Sequence, residues 1–182
     1  MSGAGWRVVL TRTHHLLGVA VAVAVAPRVA PGLAEGLTLA AVTVVTAGGP
    51  LSPDLDQQGW WRLLDRYLPD EWLGRGGPMR HRGITHWWGV PASLALVLAA
   101  SPSHGMAWWV GAGLVCGWGS HLAGDLVVGA GSPYRGAGIP WAPWWGHAGL
   151  GFPCDGWVER RLSYALPAVA VWQAAVLAGV LH

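Results

Sequence analysis

Residues 81–100 read His81-Arg82-Gly83-Ile84-Thr85-His86-Trp87-Trp88, then Gly-Val-Pro-Ala-Ser-Leu-Ala-Leu-Val-Leu-Ala-Ala. Three ionisable side chains stand at the mouth of a long apolar run. Such groups are costly at the edge of an apolar helix, so they mark function by default. Three other stretches are candidate partners: His14-His15-Leu16-Leu17-Gly18, Pro53-Asp54-Leu55-Asp56 and His121-Leu122-Ala123-Gly124-Asp125.

Composition sets the class. The 182 residues fit one domain, spanning 1–182, and only 11% are charged against 53% apolar. A soluble domain carries about 25% charged residues, so these totals, with a mean hydropathy of +0.39, favour a membrane protein. A net charge of +2 without a basic block gives no reason to expect nucleic acid. Cys116 and Cys154 have no CxxC spacing, so neither a disulfide framework nor a thiolate zinc site follows. Fourteen tryptophans accompany a single phenylalanine. Pairs such as Trp60-Trp61, Trp87-Trp88 and Trp144-Trp145 flank apolar runs, where indole prefers the headgroup level.

The expected fold is an all-α integral membrane bundle of about five apolar helices. The first runs from about Val8 to Ala26 and ends at Pro27; the second runs from about Leu33 to Ala47 and breaks at Gly48-Gly49-Pro50. Residues 58–68 place Trp60, Leu63, Leu64, Tyr67 and Leu68 at helical spacing, predicting an amphipathic helix on the membrane surface. The third segment, from Ile84 to Ala100, carries Pro91 and should kink near its start. The fourth runs from Met106 to Val128 and the fifth from Leu162 to Leu181. Between them, residues 129–157 are dense in Gly, Pro and Trp and form an ordered loop over the site. On the fourth segment Gly113, Gly117, His121 and Asp125 recur every four residues. Small residues there let a neighbouring helix approach closely.

Connectivity turns these pieces into a site. If segment one crosses from side A to side B, segment two returns, so Asp54 and Asp56 emerge at A. His81 and His86 begin segment three at A, and segment four brings His121 and Asp125 back to it. Ten arginines (7, 12, 62, 66, 75, 80, 82, 135, 160 and 161) fall on A, and only Arg28 on B. By the positive-inside rule A is cytoplasmic, which implies a multi-pass inner-membrane protein with its N-terminus and site at the cytoplasmic face.

His121 and Asp125 at i, i+4 share a helical face, a good spacing for two ligands to one ion. Alone, each motif has a bland reading: a structural hydrogen bond, a turn, or a histidine at a headgroup. Four motifs converging on one face favour a metal site. Histidine and carboxylate without thiolate suit zinc best, then manganese or iron, in a hydrolytic centre. The candidate ligands exceed what one tetrahedral ion needs, so two or more divalent ions are expected, bridged by Asp54, Asp56 or Asp125. Arg82 reads equally as a phosphate grip and as a positive-inside arginine. His147 and Asp155 could complete the site.

Taken together, His15-Leu16-Leu17-Gly18, Pro53-Asp54-Leu55-Asp56, His81-Arg82-Gly83-Ile84-Thr85-His86 and His121-Leu122-Ala123-Gly124-Asp125 resemble the YdjM family. The resemblance runs from about residue 14 to Pro143 and implies an inner-membrane, metal-dependent hydrolase. It also implies a soluble cytoplasmic partner, through an association with LexA. On that alignment the N-terminal ligand is His15 rather than His14. The His-x-x-x-Asp pair is similar, more distantly, to zinc-dependent phospholipase C. This chain departs from the family pattern at Gln57, Trp87 and Val128, where His, Ser and Thr are usual, and at a displaced Gly138-Ile139-Pro140.

The expected function is hydrolysis of a phosphoester on a lipid or lipid-linked substrate at the bilayer surface. His15, His81, His86 and His121 would bind metal as neutral imidazoles, with Asp54, Asp56 and Asp125. Catalysis would fall to Asp54 or Asp56 as base and to Arg82. Two alternatives stand beside it: a metal-ion carrier, and a regulatory scaffold whose residues 57–80 bind the soluble partner. A carrier should place ligands near the midplane, whereas side B offers almost no polar residue besides Glu35.

Overall fold

A computed structural model describes residues 4–54, 67, 83–130, 138–142, 145–150, 152–153 and 156–178. Asp56, His81, Arg82 and Asp155, and all of the expected interfacial helix except Tyr67, lie outside the described residues. Five α-helices dominate the described residues: α1 (Ala4–Val29), α2 (Leu33–Gly48), α3 (Gly89–Ala99), α4 (Met106–Val127) and α5 (Trp157–Leu177). A 3-10 turn, Ile84–His86, precedes α3. Four short strands separate α4 from α5: β1 (Val128–Ala130), β2 (Ile139–Ala142), β3 (Trp145–Ala148) and β4 (Phe152–Pro153).

Small residues decide how the helices meet. α2 is sandwiched between α1 and α4, α5 packs on α1, and α3 packs on α4. At the α1–α2 contact a Cβ on Gly18 would lie 2.5 Å from Ala47 Cβ. At the α2–α4 contact a Cβ on Gly113 would lie 2.7 Å from Val42 Cβ, and one on Gly117 2.7 Å from Thr46 Cβ. The four-residue stripe of α4 therefore brings two backbones together, as its spacing predicts. At the far end of the bundle Ala26, Leu39 and Trp109 form an apolar cluster. The other end is polar inside: Thr13, His14, Ser52, Thr85, His86, His121, Asp125 and Glu159 are all buried. Buried polar groups are stable only when paired or ligated, so the site sits at this end.

Several expectations change. α1 does not stop at Pro27 but continues to Val29. A proline in the last turn removes a single intrahelical bond, and the Arg28 guanidinium donates to the Ala24 carbonyl beside it. Residues 84–100 are not one kinked helix. The chain makes the 3-10 turn, extends at Trp87 and starts α3 at Gly89. Pro91 then falls in the first turn, where its missing N–H has no intrahelical partner to lose. Residues 129–157 hold β structure as well as loop. β2 and β3 pair antiparallel, with Pro140 opposite His147, and β1 pairs parallel with β4. Gly138, at φ +87°, opens the hairpin where a Cβ would strike the Ala148 carbonyl. The Leu150 N–H donates to Leu126 O at 2.7 Å and ties this region to the end of α4.

Four of the described tryptophans, Trp87, Trp88, Trp108 and Trp118, donate hydrogen bonds within the fold. The Nε1 groups of Trp87 and Trp88 both donate to Trp141 O, at 2.8 and 3.3 Å, fastening the β hairpin beside the 3-10 turn. Trp108 donates to Leu98 O, and Trp109 is buried in the apolar cluster. No helix among the described residues is long and apolar enough to cross a membrane. α2 has 16 residues and α3 has 11, or about 24 and 16 Å of rise.

Candidate metal centre

His121 and Asp125 supply the floor of the site. One turn apart on α4, they place His121 Nε2 3.5 Å from Asp125 Oδ2. The close α2–α4 approach at Gly117 brings His121 Nδ1 within 2.7 Å of Ala47 O. A carbonyl only accepts, so Nδ1 carries a proton, and in the neutral imidazole that binds metal Nε2 then presents the lone pair. That lone pair is buried without a hydrogen-bond partner, and it faces Asp125 and Asp54 Oδ2, the latter at 3.9 Å.

Three further side chains close around this pair. His14, from α1, stacks on His121 with ring centroids 3.9 Å apart, and its Nε2 is 3.6 Å from Asp125 Oδ1. Gly124 admits it, because a Cβ there would lie 2.8 Å from His14 Nδ1. His86, from the 3-10 turn, meets His121 edge-on. Its Nε2 lies 3.2 Å from Asp54 Oδ1 and 3.3 Å from Asp125 Oδ2. The turn is anchored to α4 by Trp118 Nε1, which donates to Thr85 O at 2.7 Å. Trp118 is three residues from His121, so a single helical face holds both the ligand and its neighbour's anchor. Asp54 follows α2 and is the most open of the five, its side chain 25% exposed where Asp125 is 4% exposed.

The electrostatics suit ligation. Burial pushes the His86 imidazole below its ordinary value, only partly offset by Asp54 and Asp125, and so favours the neutral form that binds metal. Burial alone would raise the Asp54 carboxyl. The hydrogen bond with His86 outweighs it and holds that carboxyl well below the usual carboxylate range.

The donor atoms form two groups, His14–His121–Asp125 and Asp54–His86–His121, each with its members within 4.8 Å of one another. Residues and ion fit. Imidazole nitrogen and carboxylate oxygen, without thiolate, is the donor set of hydrolytic zinc and manganese centres. A histidine that gives its other N–H to a backbone carbonyl is the usual outer-shell arrangement of a metal ligand. A lone pair aimed at two carboxylates requires a proton or a cation between them.

Of the residues expected from sequence, Asp54, His86, His121 and Asp125 come together. Asp56, His81 and Arg82 lie outside the described residues. His15 is half-buried behind the site, where a Cβ on Gly48 would meet its Nδ1 at 2.7 Å, and it belongs to neither group. His14 occupies the N-terminal place in them instead. Thr13 and Glu159 carry no signal in the sequence, yet Thr13 Oγ1 donates to Glu159 Oε1 at 3.0 Å in the interior. This bond pins the His14 turn of α1 to the first turn of α5. An acidic residue just before Arg160-Arg161 reads as part of a solvated charge cluster, which hides its role. The backbone of His147 lies in β3, paired with Pro140.

No curated protein and no solved structure matches this chain. The family comparison does: the sequence matches YdjM, described as YdjM inner membrane protein, over residues 9–181, and the chain belongs to that family.

Proposed function

We propose that this protein is a metal-dependent phosphoester hydrolase of the inner membrane, acting on a lipid or lipid-linked substrate at the cytoplasmic face. The observation that carries the reading is His121: Nδ1 committed to Ala47 O, and Nε2 bare and facing two carboxylates. His14, His121 and Asp125 would hold one ion, with His86 and Asp54 holding it from the other side or binding a second. A divalent ion, zinc first, supplies Lewis-acid polarisation of a phosphoryl oxygen and activation of water. Asp125 and Asp54 would balance its charge. Asp54 is placed to ligate, its carboxylate lying among the donor atoms of His86 and His121. Asp56 remains the candidate base, and Arg82 the candidate phosphate grip.

Two features support the membrane setting. The family is described as an inner membrane protein, and the outer faces of α2, α3 and α5 expose Leu33, Leu37, Leu96, Val97, Val171 and Trp172. Arg12 and Arg160 flank the Thr13–Glu159 bond at the site end of the bundle, whereas Arg28 closes the far end of α1. This asymmetry supports a cytoplasmic site.

The test is phosphate or headgroup release from a panel of phospholipids and isoprenoid phosphates. It uses chelator-stripped and zinc-reloaded protein beside Asp125→Ala. Release that needs zinc and is lost in the variant is expected. Zinc-loaded protein that cleaves nothing, yet takes up metal into proteoliposomes in a manner abolished by Asp54→Asn, would make it a carrier.

A further inference from the structure

The ring planes of the three histidines divide the donor atoms more finely than distance does. His14 and His121 lie almost parallel, 18° apart, with centroids separated by 3.9 Å. An imidazole binds zinc along its nitrogen lone pair, which lies in the plane of the ring, at about 2.0–2.1 Å. An ion midway between rings 3.9 Å apart would sit about 2 Å out of both planes, in line with neither lone pair. His14 and His121 therefore address separate ions, although proximity puts their donor atoms in one group. His86 differs. Its ring meets His121 at 66°, so the two planes cross and both lone pairs can reach one ion.

Asp125 joins the two positions. Its Oδ1 lies 3.6 Å from His14 Nε2, and its Oδ2 lies 3.5 Å from His121 Nε2 and 3.3 Å from His86 Nε2. Two donors on a tetrahedral zinc stand about 3.3–3.4 Å apart, so each oxygen is spaced to share an ion with the imidazoles it faces. Lone pairs from stacked rings run side by side at about the ring spacing, 3.9 Å. Paired ions in hydrolytic sites stand about 3.5–4 Å apart.

We infer that Asp125 bridges two unequal ions. A tight ion takes His86, His121, Asp54 and Asp125 Oδ2, and an exchangeable ion takes His14 and Asp125 Oδ1. The inequality has two causes. Among the described residues, four donate to the first ion and two to the second. His121 Nδ1 and His86 Nδ1 also have outer partners, Ala47 O and Thr85 Oγ1, whereas His14 Nδ1 is buried with no hydrogen-bond partner. Loss of such a partner weakens metal binding about 10- to 100-fold. The inference rests on the metal centre of the proposed hydrolase and adds its regulation: the second ion comes and goes with metal supply while the first stays.

Zinc titration of the stripped, full-length protein in detergent tests the division. It should show two sites, the second at least about tenfold weaker. His14→Ala should lose the weak site and keep the tight one at wild-type affinity, whereas Asp54→Asn should weaken the tight one. Manganese gives a readout that needs no variant. Two manganese ions sharing a carboxylate couple magnetically, so the hyperfine pattern of isolated ions in the electron paramagnetic resonance spectrum should collapse as the second equivalent binds. His14→Ala should keep the isolated pattern throughout. A single zinc site in the wild type, manganese ions that stay uncoupled, or a second site that survives His14→Ala overturns the bridge and leaves the hydrolase reading standing. Wild-type protein that binds neither metal overturns both.

Discussion

Gly117 is the point where helix packing and metal chemistry meet, and Gly117→Ala tests their coupling. The added methyl would strike the Thr43 carbonyl oxygen and lie 2.7 Å from Thr46 Cβ and 3.1 Å from the Ala47 nitrogen. These atoms belong to backbone or to a β-branched side chain, so none can swing aside. Carbon atoms rest at about 3.5–4.0 Å, so α4 must move off α2 by about 1 Å. His121 lies one turn along the same face, and its bond to Ala47 O is 2.7 Å long. A shift of that size lengthens it to about 3.7 Å, past hydrogen-bonding range. The overpacking costs about 1–3 kcal/mol, and loss of such outer-shell support weakens metal affinity about 10- to 100-fold. Gly119→Ala is the control, since a Cβ there meets nothing within 4 Å. It should keep zinc affinity and gain up to about 1 kcal/mol of helix propensity. Chelator-competition titration and thermal unfolding of both variants read the two effects. Wild-type zinc affinity in Gly117→Ala would refute the idea that the α2–α4 contact holds the ligand in place.

Three further predictions follow from single contacts. His14→Ala should lower bound zinc more than His15→Ala, as metal analysis of the two purified variants would show; the reverse order would return the ligand role to His15. Trp118→Phe removes the Nε1 bond to Thr85 O, so unfolding should cost about 1 kcal/mol less and zinc should be released faster by a chelator. Glu159→Ala removes the Thr13–Glu159 hydrogen bond and should destabilise by about 0.5–1.5 kcal/mol. Glu159→Gln keeps an acceptor and should recover most of that, and equal melting temperatures for the pair would remove the bond from the account.

Helix positions were legible where glycine and proline punctuate apolar runs. α2 (Leu33–Gly48) and α4 (Met106–Val127) fall within one residue of the apolar segments. The α4 stripe also gave the correct face, because Gly113, Gly117, His121 and Asp125 are locked by helical period alone. Proline was less informative, since its effect depends on where the helix begins, and the backbone alone shows that Pro91 is in a first turn. His14 and His15 illustrate a different limit. Adjacent helical residues point about 100° apart, and which one faces inward depends on how α1 is rotated. That rotation is set by Gly18 against Ala47 and by His15 against Gly48, contacts between residues far apart in sequence. The β pairings in 129–157 were hidden for a related reason. Each strand has only 2–4 residues, too few for an alternating pattern to stand out.

The central claim is that the buried histidine and aspartate cluster holds a divalent ion, and metal analysis of detergent-purified protein tests it most directly. Wild type, His121→Ala and Asp125→Ala would be equilibrated with zinc, freed of excess ion and quantified by mass spectrometry. The account predicts at least one zinc per wild-type chain and a clear loss in both variants. Equal, near-zero metal in all three proteins would contradict it.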